Sequence, residues 1–275
     1  KTCDALDGLT DGLIDDPRRC NFDPASLACD GDDGPNCLTS GQIAAVRAIY
    51  AGPTRPSTGE QLFPGFALGS EYFESSDGLG GWGRYWSGIT EPGGSTADFL
   101  KYSVFEDPAY DAKEFDFDAD WDYANNRPIT SDETLGSALN AIDTDLSAFQ
   151  KAGGKLLSYH GWADPLITAH YAIDYYESVV AAQGSLEQTT DFYRLFMAPG
   201  VAHCRGGPGP DQFDAVAAIE QWVEKGVAPD QLIASKVVDG QVHRTRPLCA
   251  YPNVARFVGD GDSDDAANFV CTNPR

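Results

Sequence analysis

The stretch Lys155-Leu156-Leu157-Ser158-Tyr159-His160-Gly161-Trp162-Ala163-Asp164-Pro165 decides the fold, read together with Phe192-Tyr193-Arg194-Leu195-Phe196-Met197-Ala198-Pro199-Gly200-Val201-Ala202-His203-Cys204. Each, Lys155–Tyr159 and Phe192–Ala198, is a short apolar run of strand length that breaks at a Gly- and Pro-containing turn, and the two turns carry Asp164 and His203. Between them Thr168–Gln183 places Tyr171, Ile173, Tyr175 and Val179 along a predicted helix. Working outward, Asp145–Ala152 reads as a short helix stopped by Gly153-Gly154. Pro199–Pro210 reads as a Gly/Pro loop, Asp211–Lys225 as a helix closed by Gly226, and Ile233–Val237 as a final strand. Strands alternating with helices predict βαβ units and a parallel sheet, hence an α/β class.

In such a sheet the functional side chains collect in loops at the carboxyl ends of the strands. Asp164 follows one strand and His203 the next. That is the acid-then-base order of α/β-hydrolases, whose chain order is Ser, then Asp or Glu, then His. The acid orients the imidazole, and the imidazole takes a proton from serine and later returns it to the leaving group. A serine nucleophile should then precede Asp164, yet no G-x-S-x-G occurs. Gly93-Gly94-Ser95-Thr96-Ala97 lacks the last glycine and has no strand before it. His160, His170 and His243 lack the strand-end setting and read as surface or packing residues.

Residues 1 to about 40 are turn-rich until Ser40–Tyr50, where Ile43, Val46, Ile49 and Tyr50 recur at helical spacing behind Thr39 or Ser40 as N-cap. From Ala51 to about Pro128 glycine, proline, acids and aromatic rings dominate. Gly81-Trp82-Gly83-Arg84-Tyr85-Trp86 and Phe115-Asp116-Phe117-Asp118-Ala119-Asp120-Trp121 hold too many large rings to stay solvated, so this stretch predicts an irregular, aromatic-laden subdomain. The alternating Asp116, Asp118, Asp120 and Asp122 read as a solvated face. Style changes near Asp143, which sets the expected boundary: 1–142 for this part and 143–275 for the α/β part.

Forty-two acidic residues against nineteen basic ones leave a formal charge of −23. That field repels phosphate backbones and anionic lipid, so no nucleic-acid or membrane partner is expected, and no apolar run reaches the roughly 20 residues of a bilayer span. Seven cysteines set among Asp, Gly and Pro suit disulfides in an oxidising compartment, extracellular or periplasmic, whereas zinc would want C-x-x-C pairs that are absent. Cys3–Cys20, Cys29–Cys37 and Cys249–Cys271 would close short local loops, which leaves Cys204 over and suggests a partner elsewhere. The acidic opening, with Asp4, Asp7 and Asp11 interleaved with Leu9 and Leu13, could offer oxygens to calcium, but its spacing is wrong for an EF-hand and by itself favours a solvated Asp-Gly turn.

His160-Gly161-Trp162-Ala163-Asp164-Pro165, the run Gly200-Val201-Ala202-His203-Cys204-Arg205-Gly206-Gly207-Pro208-Gly209, Arg244-Thr245-Arg246-Pro247-Leu248-Cys249, Asp265–Cys271 and Cys3-Asp4-Ala5-Leu6-Asp7-Gly8 together resemble the signatures of the tannase and feruloyl esterase family, which includes terephthalate half-ester hydrolases. The resemblance spans nearly the whole chain. It implies the C-terminal part of an α/β-hydrolase sheet, an aromatic-rich lid over the active site, and hydrolysis of phenolic esters, feruloyl or galloyl, with no organic cofactor. It implies a structural calcium held by the Asp4, Asp7 and Asp11 side chains and the Leu9 and Leu13 carbonyls. It also implies a G-C-S-x-G-G nucleophile elbow in an N-terminal part of the same enzyme, with the elbow cysteine disulfide-linked to Cys204. Trp82, Tyr85, Trp86 and Phe117 are the lid residues expected to touch an aromatic acyl group. A secreted, non-catalytic, calcium-stabilised binding module is the rival expectation, since it also accounts for the acidity, the disulfides and the absent serine.

Overall fold

The structure is a computed structural model that describes residues 2–73, 80–85 and 94–274. Packing divides the chain into two units. Lys1–Ala51, Pro64–Tyr85 and Thr144–Arg275 form the larger; Gly52–Phe63 and Trp86–Asp143 form the smaller.

In the larger unit, α1 (Ser40–Ala51) starts at Thr39. Gln42 N–H donates to Thr39 Oγ1 at 3.3 Å, and Thr39 N–H donates back to Gln42 Oε1 at 2.7 Å. That reciprocal pair marks Thr39, rather than Ser40, as the cap. The centre of the unit is a parallel pair, β1 (Leu156–Gly161) and β2 (Tyr193–Ala198), running in register from Leu156 opposite Tyr193 to Gly161 opposite Ala198. The crossover is α2 (Ala169–Gln183), capped by the Thr168 side chain and ended by Gly184 in the left-handed region at φ 92°. Ile173, Tyr176 and Val179 of α2 bury themselves against Phe192, Tyr193 and Leu195. The other face of β2, Phe196 and Ala198, packs with Val201, Leu232, Ala234, Leu248 and Ala250. Both faces of β2 are covered, and this explains its apolar run from Leu195 to Ala198.

α3 (Ala215–Lys225) begins four residues later than the sequence predicts, because Asp214 supplies the cap, accepting from Ala217 N–H at 2.8 Å. The last predicted strand also behaves differently. β3 (Gln231–Val238) does not continue the parallel sheet but pairs antiparallel with β4 (Gln241–Cys249). Asp239 and Gly240, at φ 51° and 76°, form the two-residue turn between them. Positive φ at both central positions matches the right-handed twist of a hairpin, and Asp-Gly is its strongest sequence signal. Alternate burial at the start of β3, with Leu232 and Ala234 buried and Gln231 and Ile233 exposed, belongs to a strand with one wet face. A second antiparallel pair, β5 (Val254–Phe257) and β6 (Phe269–Thr272), is tied to β4 by the Cys249–Cys271 disulfide. Cys3–Cys20 and Cys29–Cys37 are also bonded.

Among its described residues the smaller unit has single bridges rather than strands, Thr54 with Gln61 and Pro128 with Thr134, and short helices such as Asp120–Asn126 and Leu135–Leu139. Asp116 and Asp122 are exposed and Asp118 and Asp120 half-buried, so the solvated face is kept, and its carboxylates also accept hydrogen bonds within the unit. Asp118 accepts from Ser57 N–H and Oγ–H, and Asp120 accepts from Asp116 N–H. Arg55 joins Glu60, Asp122 and the Asp118 carbonyl. Phe105 stacks on Tyr110 at 4.0 Å and on Tyr123 at 5.6 Å. Among the described residues no helix is long and apolar enough to cross a membrane.

Candidate active site

The loops after β1 and β2 are zipped together by main chain. Trp162 N–H donates to Ala198 O at 2.9 Å and Ala163 N–H to Val201 O at 3.0 Å. A methyl at Gly161 would run into the Val201 carbonyl, so only glycine permits this approach. The second loop closes on itself through Ala202 N–H to Gly206 O and Gly209 N–H to Gly200 O. Asp211, read from the sequence as helical, instead accepts from Gly206 N–H at 2.7 Å, while Lys236 Nζ donates to Gly207 O at 2.5 Å.

This frame brings Asp164 and His203 together. Asp164 Oδ2 lies 2.9 Å from His203 Nδ1. Its Oδ1 accepts from Leu166 N–H at 2.8 Å and Ile167 N–H at 3.0 Å. The carboxylate is 4% exposed and the imidazole 37%. A carboxylate is an acceptor only, so Nδ1 carries the proton, and Nε2 keeps its lone pair with no partner among the described residues. An oriented imidazole with a free, accessible Nε2 can take a proton from a nucleophile placed against it. Sequence reasoning set His160 aside, yet its Nε2 stands 3.4 Å from the same Asp164 Oδ2 and 3.0 Å from Ile167 O. Phe73, also unremarked, packs on Ala163 and Ala202, the residues just before acid and base. Cys204, at φ 64°, is exposed and forms no disulfide within this chain.

The acidic opening folds into Asx-type turns. Asp4 Oδ1 accepts from Asp11 and Gly12 N–H, Asp7 Oδ1 from Leu9 N–H, and Asp11 Oδ1 from Leu13 N–H. Asp11 Oδ2 is held by the buried Arg246 at 2.5 Å. Burial is the main force raising the Asp7 carboxyl, with Asp11 adding to it. Asp15, which sequence reasoning passed over, is buried and pushed up to about 8 by desolvation, then by Asp7. Buried carboxylates that Arg246 only partly offsets are the hard oxygen donors that suit calcium in chemistry. Among the described residues, however, no three or more His, Cys, Asp or Glu side chains converge as a metal cluster. Arg18 ties this segment to the acid loop. It pairs with Asp16 at 2.8 Å, donates to Tyr251 Oη at 2.8 Å and lies over the Trp162 ring at 5.7 Å.

Of the expected aromatic contacts, Trp82 is only 7% exposed and meets Tyr50 edge-on at 5.9 Å, so it is part of the packing around α1. Phe117, in the smaller unit, is 39% exposed and edge-on to Phe115. Trp86 and the side chain of Tyr85 lie outside the described residues.

The family model described as tannase and feruloyl esterase matches residues 1–272. An uncharacterized esterase of Xanthomonas campestris is 39% identical, covering 98% of this chain and 52% of its own length. The mono(2-hydroxyethyl) terephthalate hydrolase of Piscinibacter sakaiensis is 36% identical, covering 99% and 50%. The solved feruloyl esterase B from Aspergillus oryzae superposes with a TM-score of 0.83 at 30% identity, covering 98% of this chain and 54% of that one. The chain thus spans about half the length of the relatives it matches. With that extent of likeness and an α/β core around the strand-end acid and imidazole, the chain belongs to the tannase and feruloyl esterase family.

Proposed function

We propose that this chain carries the acid, the base and the lid of a serine-dependent carboxylic-ester hydrolase acting on phenolic esters, feruloyl or galloyl. The observation that carries the reading is the 2.9 Å contact between Asp164 Oδ2 and His203 Nδ1, which leaves Nε2 free. A serine from a G-C-S-x-G-G elbow in an N-terminal part of the same enzyme attacks the ester carbonyl as His203 Nε2 takes its proton. Asp164 holds the tautomer and stabilises the imidazolium that forms. The imidazolium then protonates the departing alcohol, and water repeats the sequence on the acyl-enzyme. The exposed, unbonded Cys204 beside the base supports a disulfide to that elbow. Three disulfides support an oxidising, secreted setting.

The test is His203→Ala in the full-length polypeptide, assayed for ferulate or gallate release. Turnover should fall at least about a thousandfold; activity within tenfold of the parent would remove His203 from the reaction and favour a binding module.

The same proposal includes a structural calcium at Asp4, Asp7 and Asp11 with the Leu9 and Leu13 carbonyls, supported by the buried acid at Asp7 and Asp15. A bound cation would neutralise that acid and supply no chemistry to the ester. Chelation should lower the thermal midpoint, and added calcium but not potassium should restore it. A midpoint indifferent to chelator would remove the metal.

A further inference from the structure

We infer that His160 is a positioning residue for the acid: its Nε2–H holds the Ile167 carbonyl, and the Ile167 N–H, one peptide earlier, in turn holds Asp164. The inference rests on the catalytic reading above. His160 Nε2 faces two groups that only accept, the Ile167 carbonyl at 3.0 Å and Asp164 Oδ2 at 3.4 Å. Nε2 therefore carries a proton and donates.

Ile167 is held through both of its peptides. Its N–H, in the Leu166–Ile167 peptide, donates to Asp164 Oδ1 at 3.0 Å, and its C=O, in the Ile167–Thr168 peptide, accepts from His160. The Ile167 side chain is 46% exposed, so these main-chain contacts rather than side-chain packing set its place. Thr168 anchors the far end of the turn through its hydroxyl on Gly65 O. Loss of the His160 donor lets the Ile167–Thr168 peptide turn and the Ile167 Cα move with it. That movement draws the Ile167 N–H away from Oδ1, and the carboxylate that orients His203 loses one of its two backbone donors on that oxygen. His160 also places its polar edge beside Oδ2, on the oxygen that His203 uses. One carboxylate thus carries two backbone amides on one oxygen and two imidazole edges near the other. The expected consequence is confined to the step in which His203 gains charge. An interaction that acts only through the charge on His203 is made in the transition state, so kcat should change and KM should not.

Two neutral amides separate this from a merely structural role. In His160→Gln the side-chain NH2 reaches the place of Nε2; in His160→Asn it stops short, near the place of Nδ1. With the full-length enzyme, His160→Asn should lower kcat about tenfold with KM unchanged, and His160→Gln should stay within about threefold of the parent. Equal kcat for the two variants, whether intact or reduced, overturns the inference. Nitrogen NMR of the unsubstituted protein supplies a reading independent of variant folding: His160 should be the Nε2–H tautomer, and an Nδ1–H tautomer overturns it. His203→Ala, run alongside, keeps the two ideas apart. If His203→Ala is inactive while Gln and Asn at 160 are equal, only the role of His160 fails. If His203→Ala is active, the catalytic reading itself fails.

Discussion

In the larger unit Asp164 lies at the end of a strand, almost sealed from water, with its oxygens shared between two amides and an imidazole. In the smaller unit Asp118 and Asp122 lie at the surface and serve the turn beside them, one capping Ser57 and the other pairing with Arg55. The residue type is the same, and what differs is the scaffold. Around Asp164, buried main-chain contacts between two strand-end loops set the position before the side chain is added. Asp118 instead uses its oxygens to hold Ser57 of a turn that main chain closes between Arg55 and Glu60. A carboxylate placed by a rigid frame is available for chemistry, whereas one that ties two segments together is already spent on structure.

The comparison breaks most sharply at the acid itself. Under the proposed chemistry, Asp164→Asn should lower kcat by about 10⁴-fold, because an amide can present its NH2 to His203 and invert the tautomer. Asp118→Asn should leave kcat as it was. Steady-state ester hydrolysis by the two variants decides it, and equal losses would show that the two carboxylates are not different in kind.

Glycines sharpen the same contrast through stability. Gly207 sits at φ 82°, and a methyl there would meet the Gly200 carbonyl; Gly59 sits at φ 74° with open space around it. Gly207→Ala should cost about 2–3 kcal/mol, backbone strain plus the displaced loop, whereas Gly59→Ala should cost only the strain, about 1 kcal/mol. Chemical denaturation with both variants measures the difference, and similar costs would mean that the His203 loop is as yielding as the surface turn.

The smallest effect is expected at Arg55, whose three anchors are the Glu60 and Asp122 carboxylates and the Asp118 carbonyl. Arg55→Lys cannot reach all three at once, because an ammonium is a point donor without the guanidinium fork. Amide exchange should quicken in residues 116–122 with no change in ester turnover, and unaltered protection there would show that the aromatic stack of Phe105, Tyr110 and Tyr123 holds the segment unaided.

Much of the larger unit was legible because its signals are local. The apolar run of β2, the Thr168 cap, the glycine stops after α2 and α3, and the order of Asp164 before His203 all lie within short windows. The hairpin of β3 and β4 was missed although its signal was present: Asp239-Gly240 between two alternating runs. Asp211 was placed in a helix because an acid beside a helical period looks like its first turn. Its actual partner, Gly206, is reached only once the loop has folded back. His160 was set aside for the same reason. A histidine in the last part of a strand carries no local mark of the carbonyl and carboxylate that its ring will meet.

What the amino-acid order determined by itself is the set of elements around the parallel pair, the three short-range disulfides and the two strand ends that carry an acid and an imidazole. Periodicity, caps and chain order express these within short windows. The tertiary structure alone decided that Asp164 and His203 touch, that Asp15 is buried, that Trp82 is packing, and that the surface carboxylate of Asp118 meets Ser57. Each of those depends on which distant groups approach a side chain once water has been excluded, and a one-dimensional pattern does not encode that approach.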